Sequence, residues 1–510
     1  MQAPPATPAD GLHLVLAGPA TGVSTLDPAL VRDNQTMTIV RQLFRGLLAF
    51  DATLTPQPAL AASVDADDQE TSFRVILRPD GTFHDGRPIT ARDVEASLAR
   101  ALNPATAGGD RTALAAAGQL GGIRGAGDVL AGRTDRLGGV EVMSDRQLQI
   151  TLDGPDAAFP GKLASVAASI VDATGSYAIA MNGTGPFSLA SVPSGESLTM
   201  NRRGYYDHGH STVSMLSFVT GSAAAMPGNL LQAGSIDLAS GLPSDQAVLL
   251  ADPASGAGDV RVTAMPEFSL LYLALSPLDE ALADLSIRRA IQVGFPWQRL
   301  AESATGVQPA QGIIAPGMLG RDWPANLPPF DLERAKAEIA RSRFGSADRV
   351  PPITVYTGQT SAADPLRNVG VAMQEFLGEQ LGLRIEPVSV AWDDFLAGLP
   401  AGRFPTYSLT WIADFPDPSS FLEVLFGAGS PDNYTGHASS ALDGLLTEAR
   451  SAADDERRAT LFARAQQVLI DEALVMPISF DIGYTAYRMG IGGVPISPIG
   501  LVGLETVVAT

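Results

Sequence analysis

The segment TWIADFPDPSSF, residues 410–421, places several side chains suited to binding chemistry next to each other. Asp414 and Asp417 follow Trp411 at the end of an apolar, strand-like stretch. A carboxylate at a strand end beside an indole could be a catalytic acid, a metal ligand, a ligand clamp or a turn former. The residues alone leave these four interpretations open.

Motifs of known enzymes are missing elsewhere in the chain. G-x-S-x-G, H-E-x-x-H and G-x-G-x-x-G do not occur, and GPDAAFPGKLAS is not a phosphate loop because Asp156 occupies the position of its first glycine. His208 and His210 are neighbours, but two imidazoles without a third ligand do not define a metal site. The sequence therefore predicts no metal and no cofactor, and it is typical of a protein that binds rather than reacts.

His84 and Asp85 are adjacent in the sequence, a spacing that does not favour a catalytic histidine–aspartate pair. Adjacent residues of a strand point to opposite faces, so the two side chains do not form an oriented pair. The surrounding PDGTFHDGRP is rich in turn residues. We therefore interpret His84 as a structural residue of a turn.

Composition limits the functional classes. The chain has 510 residues, 45% hydrophobic and 17% charged, as expected for a globular protein of two or three domains. Its formal net charge of −21 argues against nucleic acid or an anionic membrane as a partner. The chain contains no cysteine, which excludes disulfides and thiolate chemistry. The start, MQAPPATPAD, is typical of a mature exported protein with an added initiator Met, the alternative being a cytosolic protein with an irregular N-terminus.

Hydropathy patterns predict the elements that must position these residues. LHLVLAG (12–18) predicts a buried strand and residues 36–48 an amphipathic helix. A strand at 73–78 leads into a helix for which Thr90 and Asp93 form a capping box. From about 260 to 475 strands alternate with helices, which predicts an α/β lobe preceded by mixed α+β structure. The predicted helices of that region cover 284–300, 331–343, 365–381, 440–453 and 455–472, and VMPISFDIGYTAYR predicts a strand pair.

Several segments, in this order along the chain, carry a family resemblance. They are STLDPAL with QLFRGLLAFD, TFHDGRPITARDVEASLARALNP, GTGPFSL, NRRGYYD, ADLSIRRAIQVGF, FDLERAKAEIA, WIADFPDPSSFLEVLF, and the run from ALDGLLTEAR to VLIDEALVMPI. Together they resemble the peptide/nickel-type extracellular solute-binding proteins, family 5, that serve ABC importers.

The resemblance implies an α/β (mixed α+β) two-lobe periplasmic-binding-protein fold with an extra domain in the N-terminal lobe. Domain Ia would comprise residues 1–45, 170–255 and 478–510, domain Ib residues 46–169, and domain II residues 256–477. Chain crossings near 255 and 477 would form a hinge that closes the lobes on the ligand.

The resemblance also assigns the ligand-binding residues. In peptide-binding members an aspartate two or three residues after the tryptophan pairs with the ligand's α-ammonium group. Asp414 holds that position and Trp411 would form an apolar wall, whereas Asp417 is better interpreted as a turn former and helix cap. The other predicted ligand-facing residues are Trp392, Asn433, Tyr434, Arg32 and Asn34.

Two departures from the family pattern concern the ligand. An acidic residue is often found where this chain has Arg32, and some oligopeptide binders have a basic residue where this chain has Ser408. Both departures weaken the expectation of a free peptide as ligand.

The expected function is that of a monomeric, periplasmic substrate-binding subunit that delivers a di- or oligopeptide, or another amine-bearing solute, to an ABC permease. The alternatives are an oligosaccharide, an opine-like conjugate or a nickel chelate as the solute. From other classes, a secreted hydrolase or an adhesin with a degenerate cleft remains open.

Overall fold

The computed structural model describes residues 11–110, 114–173, 182–190, 196–203, 212–252, 254, 258–320, 325–359, 368–452 and 454–510. The predictions for MQAPPATPAD and for His208 and His210 concern residues outside these ranges. The chain divides into two compact units: unit 1 is Met1–Met265 with Gly483–Thr510, and unit 2 is Pro266–Ile482. Both unit boundaries therefore lie later in the chain than the crossings expected near 255 and 477.

In its described ranges, unit 1 begins with twelve strands, the last of which ends one residue past the unit boundary, and seven α-helices. The strands are β1 Leu12–Ala17, β2 Leu48–Phe50, β3 Pro56–Pro58, β4 Ala61–Ala66, β5 Ser72–Leu77, β6 Val140–Ser144, β7 Gln147–Thr151, β8 Phe187–Leu189, β9 Ser197–Arg202, β10 Val213–Val219, β11 Leu238–Ser240 and β12 Val260–Pro266. The helices are α1 Asn34–Leu43, α2 Ala91–Leu102, α3 Ala117–Leu120, α4 Ala126–Leu130, α5 Phe159–Leu163, α6 Pro227–Gln232 and α7 Ser244–Ala251.

The main sheet of unit 1 contains the predicted first strand as an interior strand, between β11 and β10. The strand order is β11-β1-β10-β9-β8, and β1 runs parallel to both of its neighbours. Leu14 and Leu16 of β1 are buried in the core of this sheet, together with Ile39 and Val40 of α1. The alternation in LHLVLAG thus reflects a strand with a fully buried face.

A second, antiparallel sheet in unit 1 has a core of its own. Its order is β4-β5-β7-β6, and Phe73, Val75 and Leu77 of β5 are buried while Arg74 and Ile76 are exposed. At the start of α2 the backbone N–H of Thr90 donates to Oδ2 of Asp93 at 2.8 Å, which confirms the predicted capping box.

The helix predicted over 36–48 is wrong at its C-terminal end. It ends at Leu43, because Phe44 is extended with φ −131° and ψ 152°. Val40 packs in the core of the main sheet, whereas Leu47 and Leu48 pack in the core of the second sheet. The apolar residues that fit one helical face in the sequence therefore serve two separate cores.

Unit 2 contains six strands and eight α-helices in its described ranges. The strands are β13 Ser269–Leu275, β14 Val307–Pro309, β15 Ile353–Gln359, β16 Ile385–Ala391, β17 Thr406–Ile412 and β18 Val475–Arg488, the last of which continues into unit 1. The helices are α8 Leu285–Gly294, α9 Trp297–Glu302, α10 Leu332–Arg341, α11 Val369–Leu381, α12 Trp392–Gly398, α13 Ser419–Phe426, α14 Ser440–Arg450 and α15 Asp455–Asp471.

The sheet of unit 2 has the order β16-β15-β17-β13-β18. β15 is parallel to both β16 and β17, and β13 is antiparallel to β17. Helices and strands alternate as predicted, with one correction at 284–300. That segment forms α8 and α9 rather than a single helix, because Phe295 is extended (φ −119°, ψ 136°) ahead of Pro296.

The predicted strand pair VMPISFDIGYTAYR is one continuous strand, β18. Val475, Met476, Pro477 and Ser479 pair with β13 in unit 2, and Thr485–Tyr487 pair with β11 in unit 1. Partners at both ends keep the chain extended through Asp481-Ile482-Gly483. Unit 1 then ends with the short strands β19 Ile491–Gly492, β20 Ile496–Ser497, β21 Gly500–Leu501 and β22 Val508–Ala509. None of the helices in the described ranges combines the length and the apolarity that crossing a bilayer requires.

Candidate functional site

The candidate site lies at the carboxyl-terminal edge of the parallel strands in unit 2. Gln359 at the end of β15 is opposite Ala391 at the end of β16, and Thr357 is opposite Ser408 of β17. The strand order changes direction at β15, since the chain continues first to β16 on one side and then to β17 on the other. Open α/β sheets bind ligands outside the carboxyl ends of their strands at such a position.

Trp411 and Asp414 both donate hydrogen bonds to Ser420 at this edge. The indole N–H of Trp411 donates to the carbonyl oxygen of Ser420 at 3.0 Å, and the backbone N–H of Asp414 donates to Oγ of Ser420 at 3.1 Å. Both side chains are half-buried, while Ser420 is fully buried in α13. The end of β17 is therefore tied to the first turn of the following helix.

Asp417 forms the predicted turn, although the N-cap residue of α13 is Pro418 and not Asp417. It also makes an ion pair that the sequence did not indicate. Its Oδ1 accepts hydrogen bonds from the backbone N–H of Ser419 at 3.0 Å and from Oγ of Ser419 at 2.6 Å, at the start of α13. Its Oδ2 accepts a hydrogen bond from the guanidinium of Arg458 at 2.6 Å, and both side chains are largely buried. Arg458 lies on α15, forty-one positions along the chain, and no local pattern connects it with Asp417.

Trp392 reaches the same edge from β16. It is the first residue of α12, directly after Ala391, and its side chain is exposed. A Cβ atom on Gly358 of β15 would lie 2.6 Å from the indole of Trp392 and 2.8 Å from the ring of Phe395. The glycine at this position thus allows the indole to lie directly against the end of β15.

Two further acidic residues lie on chain segments next to this edge: Glu267, between β12 and β13, and Asp481, on β18. The N–H of Ala413 donates to the carbonyl of Phe268 at 2.7 Å, which places Glu267 on the chain segment next to Asp414. The N–H of Glu267 donates to the carbonyl of Asp481 at 2.9 Å. Burial, and secondarily the charge of Asp481, raise the pKa of Glu267 to about 7. We refer to Glu267, Asp414 and Asp481 as the acidic edge.

The structure does not bring Asn433 and Tyr434 to the acidic edge. Their loop lies beside the start of β17, because Oγ of Ser276 donates to the carbonyl of Thr435 and the N–H of Ser276 donates to the carbonyl of Pro405. That position is about 20 Å along the strand from Ile412. The separation arises because the loop follows α13, which returns to the other end of the strand, and the predicted ligand contacts of Asn433 and Tyr434 stay a prediction.

Both side chains of this loop have internal partners. The Asn433 amide donates to the carbonyls of Phe426, Gly427 and His437, and its Oδ1 accepts from Oγ1 of Thr435 at 2.6 Å. The Tyr434 hydroxyl donates to Oδ1 of Asp432 at 2.6 Å. These contacts give both residues a role in holding the loop.

Arg32 and Asn34 belong to unit 1. Arg32 is exposed, and its guanidinium donates to the carbonyl of Leu114 at 3.5 Å. Asn34 is the first residue of α1, whose N-cap is Asp33. Their predicted contribution to ligand binding stays a prediction.

The position where some oligopeptide binders carry a basic residue is uncharged and buried here. Ser408 Oγ lies 3.1 Å from Oγ1 of Thr357, which is beside it on β15. No group of three or more metal-binding side chains occurs among the described residues. An uncharged sheet surface, an acidic edge and two indoles suit a ligand that carries a positive charge and an apolar part.

Comparisons with known proteins give matches over most of the chain. Residues 55–433 match the family described as bacterial extracellular solute-binding proteins, family 5 middle. The chain is 24% identical over 490 residues to the periplasmic oligopeptide-binding protein OppA of Escherichia coli K12, covering 92% of this chain and 88% of that protein. It is 26% identical over 495 residues to the probable deoxycholate-binding periplasmic protein YgiS of the same strain, covering 92% and 89%.

The fold is shared with a solved structure over nearly the whole chain. The Escherichia coli murein tripeptide binding protein MppA matches with a TM-score of 0.79 and 22% identity, covering 98% of this chain and 99% of that chain. The predicted α/β two-lobe periplasmic-binding-protein fold is confirmed.

Proposed function

The chain belongs to the bacterial extracellular solute-binding proteins of family 5, and we propose that it captures a di- or oligopeptide, or another amine-bearing solute, for an ABC importer. The observation that carries this proposal is the position of Asp414. Its backbone is fixed by Ser420 at the edge of the sheet where α/β folds bind ligands, and Trp411 is fixed by the same residue. A carboxylate held in this way can accept a strong charge-assisted hydrogen bond from an ammonium group.

The charges around Asp414 support a cationic group rather than an anionic one. Asp481 adds negative potential at the acidic edge, and Glu267, whose pKa is raised to about 7, adds to it in the fraction of molecules in which its carboxyl group is ionised. An anionic ligand group at this position would be repelled, whereas an ammonium group would be attracted. Trp411 and Trp392 would contact the apolar part of the ligand, and Asn433 and Tyr434 are not included in the proposed site.

The architecture that we propose keeps the three domains expected from the sequence. An extra domain over residues 46–169 is supported by the separate core of the four-stranded sheet, whose members, apart from Ala29, lie between Leu47 and Ile170. Closure of two lobes on the solute would present a closed form to the permease. We propose that the protein acts as a monomer in the periplasm and has no catalytic activity of its own.

A non-peptide solute is the second candidate. The observation that favours it is the uncharged pair Ser408 and Thr357, which offers no counter-charge for a peptide's C-terminal carboxylate. One relative is named as a probable deoxycholate-binding protein, so similar chains are associated with different solutes. An oligosaccharide, an opine-like conjugate or a nickel chelate would be bound without the amine contact to Asp414.

Native mass spectrometry of the purified protein tests the proposal most directly. A co-purified mass that matches a peptide or another amine, and that is lost on mild unfolding, is the expected result. The affinities for trialanine and N-acetyl-trialanine are then measured by calorimetry. Equal affinity for both, or exclusive recovery of solutes without an amine, would contradict the amine clamp. A turnover assay on peptides and glycosides separates binding from hydrolysis.

A further inference from the structure

Arg458 is a buried cation in unit 2 that contacts the loop carrying Asp414. It projects from α15, and its side chain is 9% exposed. Its closest ionic partner is Oδ2 of Asp417 at 2.6 Å, while Oδ1 of the exposed Asp455 lies at 3.7 Å. Phe462, one turn along the same helix, lies with its ring centroid 5.5 Å from the guanidinium carbon. Within the described part of the chain, Nε of Arg458 is buried and has no hydrogen-bond partner.

A continuous series of hydrogen bonds leads from Arg458 to the proposed ligand site. Asp417 accepts from Arg458 through Oδ2 and from Ser419 through Oδ1, and its carbonyl accepts from the N–H of Ser420 at 2.9 Å. Ser420 in turn holds the N–H of Asp414 and the indole N–H of Trp411. The last two hydrogen bonds of this series join Ser420 to Trp411 and to Asp414, the residues that we propose contact the ligand.

We propose that Arg458 is a positioning residue that fixes the geometry of Asp414 and Trp411 through Asp417. This inference deepens the proposed amine clamp and rests on it. The alternative is that the Arg458–Asp417 pair only stabilises unit 2, without a specific effect on the end of β17.

The charge balance explains why an arginine is needed at this position. Asp417 is 9% exposed, and a buried carboxylate without a counter-charge is strongly unfavourable. Without Arg458, the loop must move to hydrate Asp417, and Ser419 and Ser420 move with it. A side chain that never touches the solute thereby sets the affinity for an amine.

Three variants separate positioning from simple stabilisation. Arg458→Met removes the charge and keeps the apolar stem, Arg458→Lys keeps the charge and one donor, and Arg457→Met makes the same change on the neighbouring, exposed residue. The ligand-free readout is the ¹⁹F resonance of Trp411 in protein labelled with 5-fluorotryptophan, assigned with Trp411→Phe. The binding readout is the ratio of affinities for trialanine and N-acetyl-trialanine.

We expect Arg458→Met to shift or broaden the Trp411 resonance, to leave that of Trp297 in place, and to reduce the affinity ratio by about tenfold. Arg458→Lys should retain most of the ratio, and Arg457→Met should resemble wild type. If Arg458→Met does not fold, the double variant Asp417→Asn/Arg458→Met removes both buried charges and is used instead, with the same expected shift and loss.

A folded Arg458 variant with the wild-type Trp411 resonance and the wild-type affinity ratio would overturn the inference. Failure of the amine clamp itself has a different signature. In that case wild type does not distinguish trialanine from its acetylated form, while the Trp411 resonance still reports whether Arg458 fixes the end of β17.

Discussion

The imidazole of His84 accepts a hydrogen bond from the backbone N–H of Gly183 through Nδ1, at 3.1 Å. Its Nε2 lies 3.1 Å from the carbonyl oxygen of Gly185, and since a carbonyl can only accept, Nε2 carries the hydrogen. A Cβ atom on Gly183 would lie 2.6 Å from Cε1 of His84, so glycine is required for this contact. Two sequence motifs a hundred residues apart, HDGRP and GTGPF, thus meet at one histidine.

His84→Gln is expected to lower stability and to leave ligand binding unchanged. Glutamine does not place an acceptor and a donor at both positions of the imidazole, and a partly buried N–H left unpaired costs about 1–3 kcal/mol. Urea denaturation measures the loss of unfolding free energy, and calorimetry measures the affinity. His437→Gln, which removes a partly exposed pair with Glu472, is the control and should cost less than about 1 kcal/mol. A His84 variant of full stability and reduced affinity would show that this histidine belongs to the ligand site.

Asp414→Asn is expected to weaken binding of an amine-bearing ligand without unfolding the protein. A hydrogen bond to a charged partner contributes about 1.5–3 kcal/mol, which is about 10- to 150-fold in affinity. Asparagine keeps the shape, so the Ser420 contacts and the melting temperature should persist. N-acetylation of the ligand should reduce the affinity of wild type strongly and that of the variant little. Asp393→Asn, an exposed change of the same formal charge on α12, is the control. Equal tolerance of acetylation by wild type and Asp414→Asn would leave Asp414 as a turn residue only.

Relative to wild type, the Glu267→Gln variant is expected to gain unfolding free energy as the pH rises from 5 to 8. The pKa of Glu267 is raised to about 7 in the folded state from an ordinary value of 4.5, so the folded protein binds this proton more tightly than the unfolded chain does. The resulting stability is fully present below the ordinary pKa and is lost as the pH rises through 7.

The wild-type penalty at pH 8 is at most about 3 kcal/mol, and the variant should not show it. Unfolding free energies from urea titrations at pH 5, 6.5 and 8 are compared with those of Glu386→Gln, a change on the exposed face of β16. A constant difference between Glu267→Gln and wild type across this range would contradict the raised pKa.

Small-angle scattering is expected to show a monomer that becomes more compact on binding its solute. A two-lobe clamp needs its cleft free of other subunits, and closure about a hinge reduces the radius of gyration. The measurement uses the co-purified solute identified by mass spectrometry, with the stripped protein as reference. An unchanged radius at saturation would argue against closure.

Local patterns in the sequence determined much of the fold and the family. The alternation in LHLVLAG and SFRVIL and the Thr90–Asp93 capping box depend on residues close together in the chain, and they formed as predicted. The alternation of helices and strands in unit 2 also formed, apart from the division of 284–300 into two helices and the continuity of β18. Each family motif is likewise a contiguous segment, and the family that the motifs indicated is confirmed. Asp414 and Trp411 were predicted as ligand-binding residues through the family resemblance of WIADFPDPSSF, since the residues alone left four interpretations open.

Tertiary structure decided which core each apolar residue joins and which distant residues meet, and the hydropathy pattern of the sequence contains neither. Residues 36–48 have a helical pattern, yet they are divided between two cores because each core requires its own apolar residues. Asn433 and Tyr434 are close to Asp414 in sequence, but α13 carries their loop to the other end of β17. Glu267 and Arg458 were not identified, because their partners Asp481 and Asp417 are distant in the chain and meet them only when strands pair and helices pack. A buried charge is defined by such partners, and its position therefore follows from the fold rather than from the local sequence.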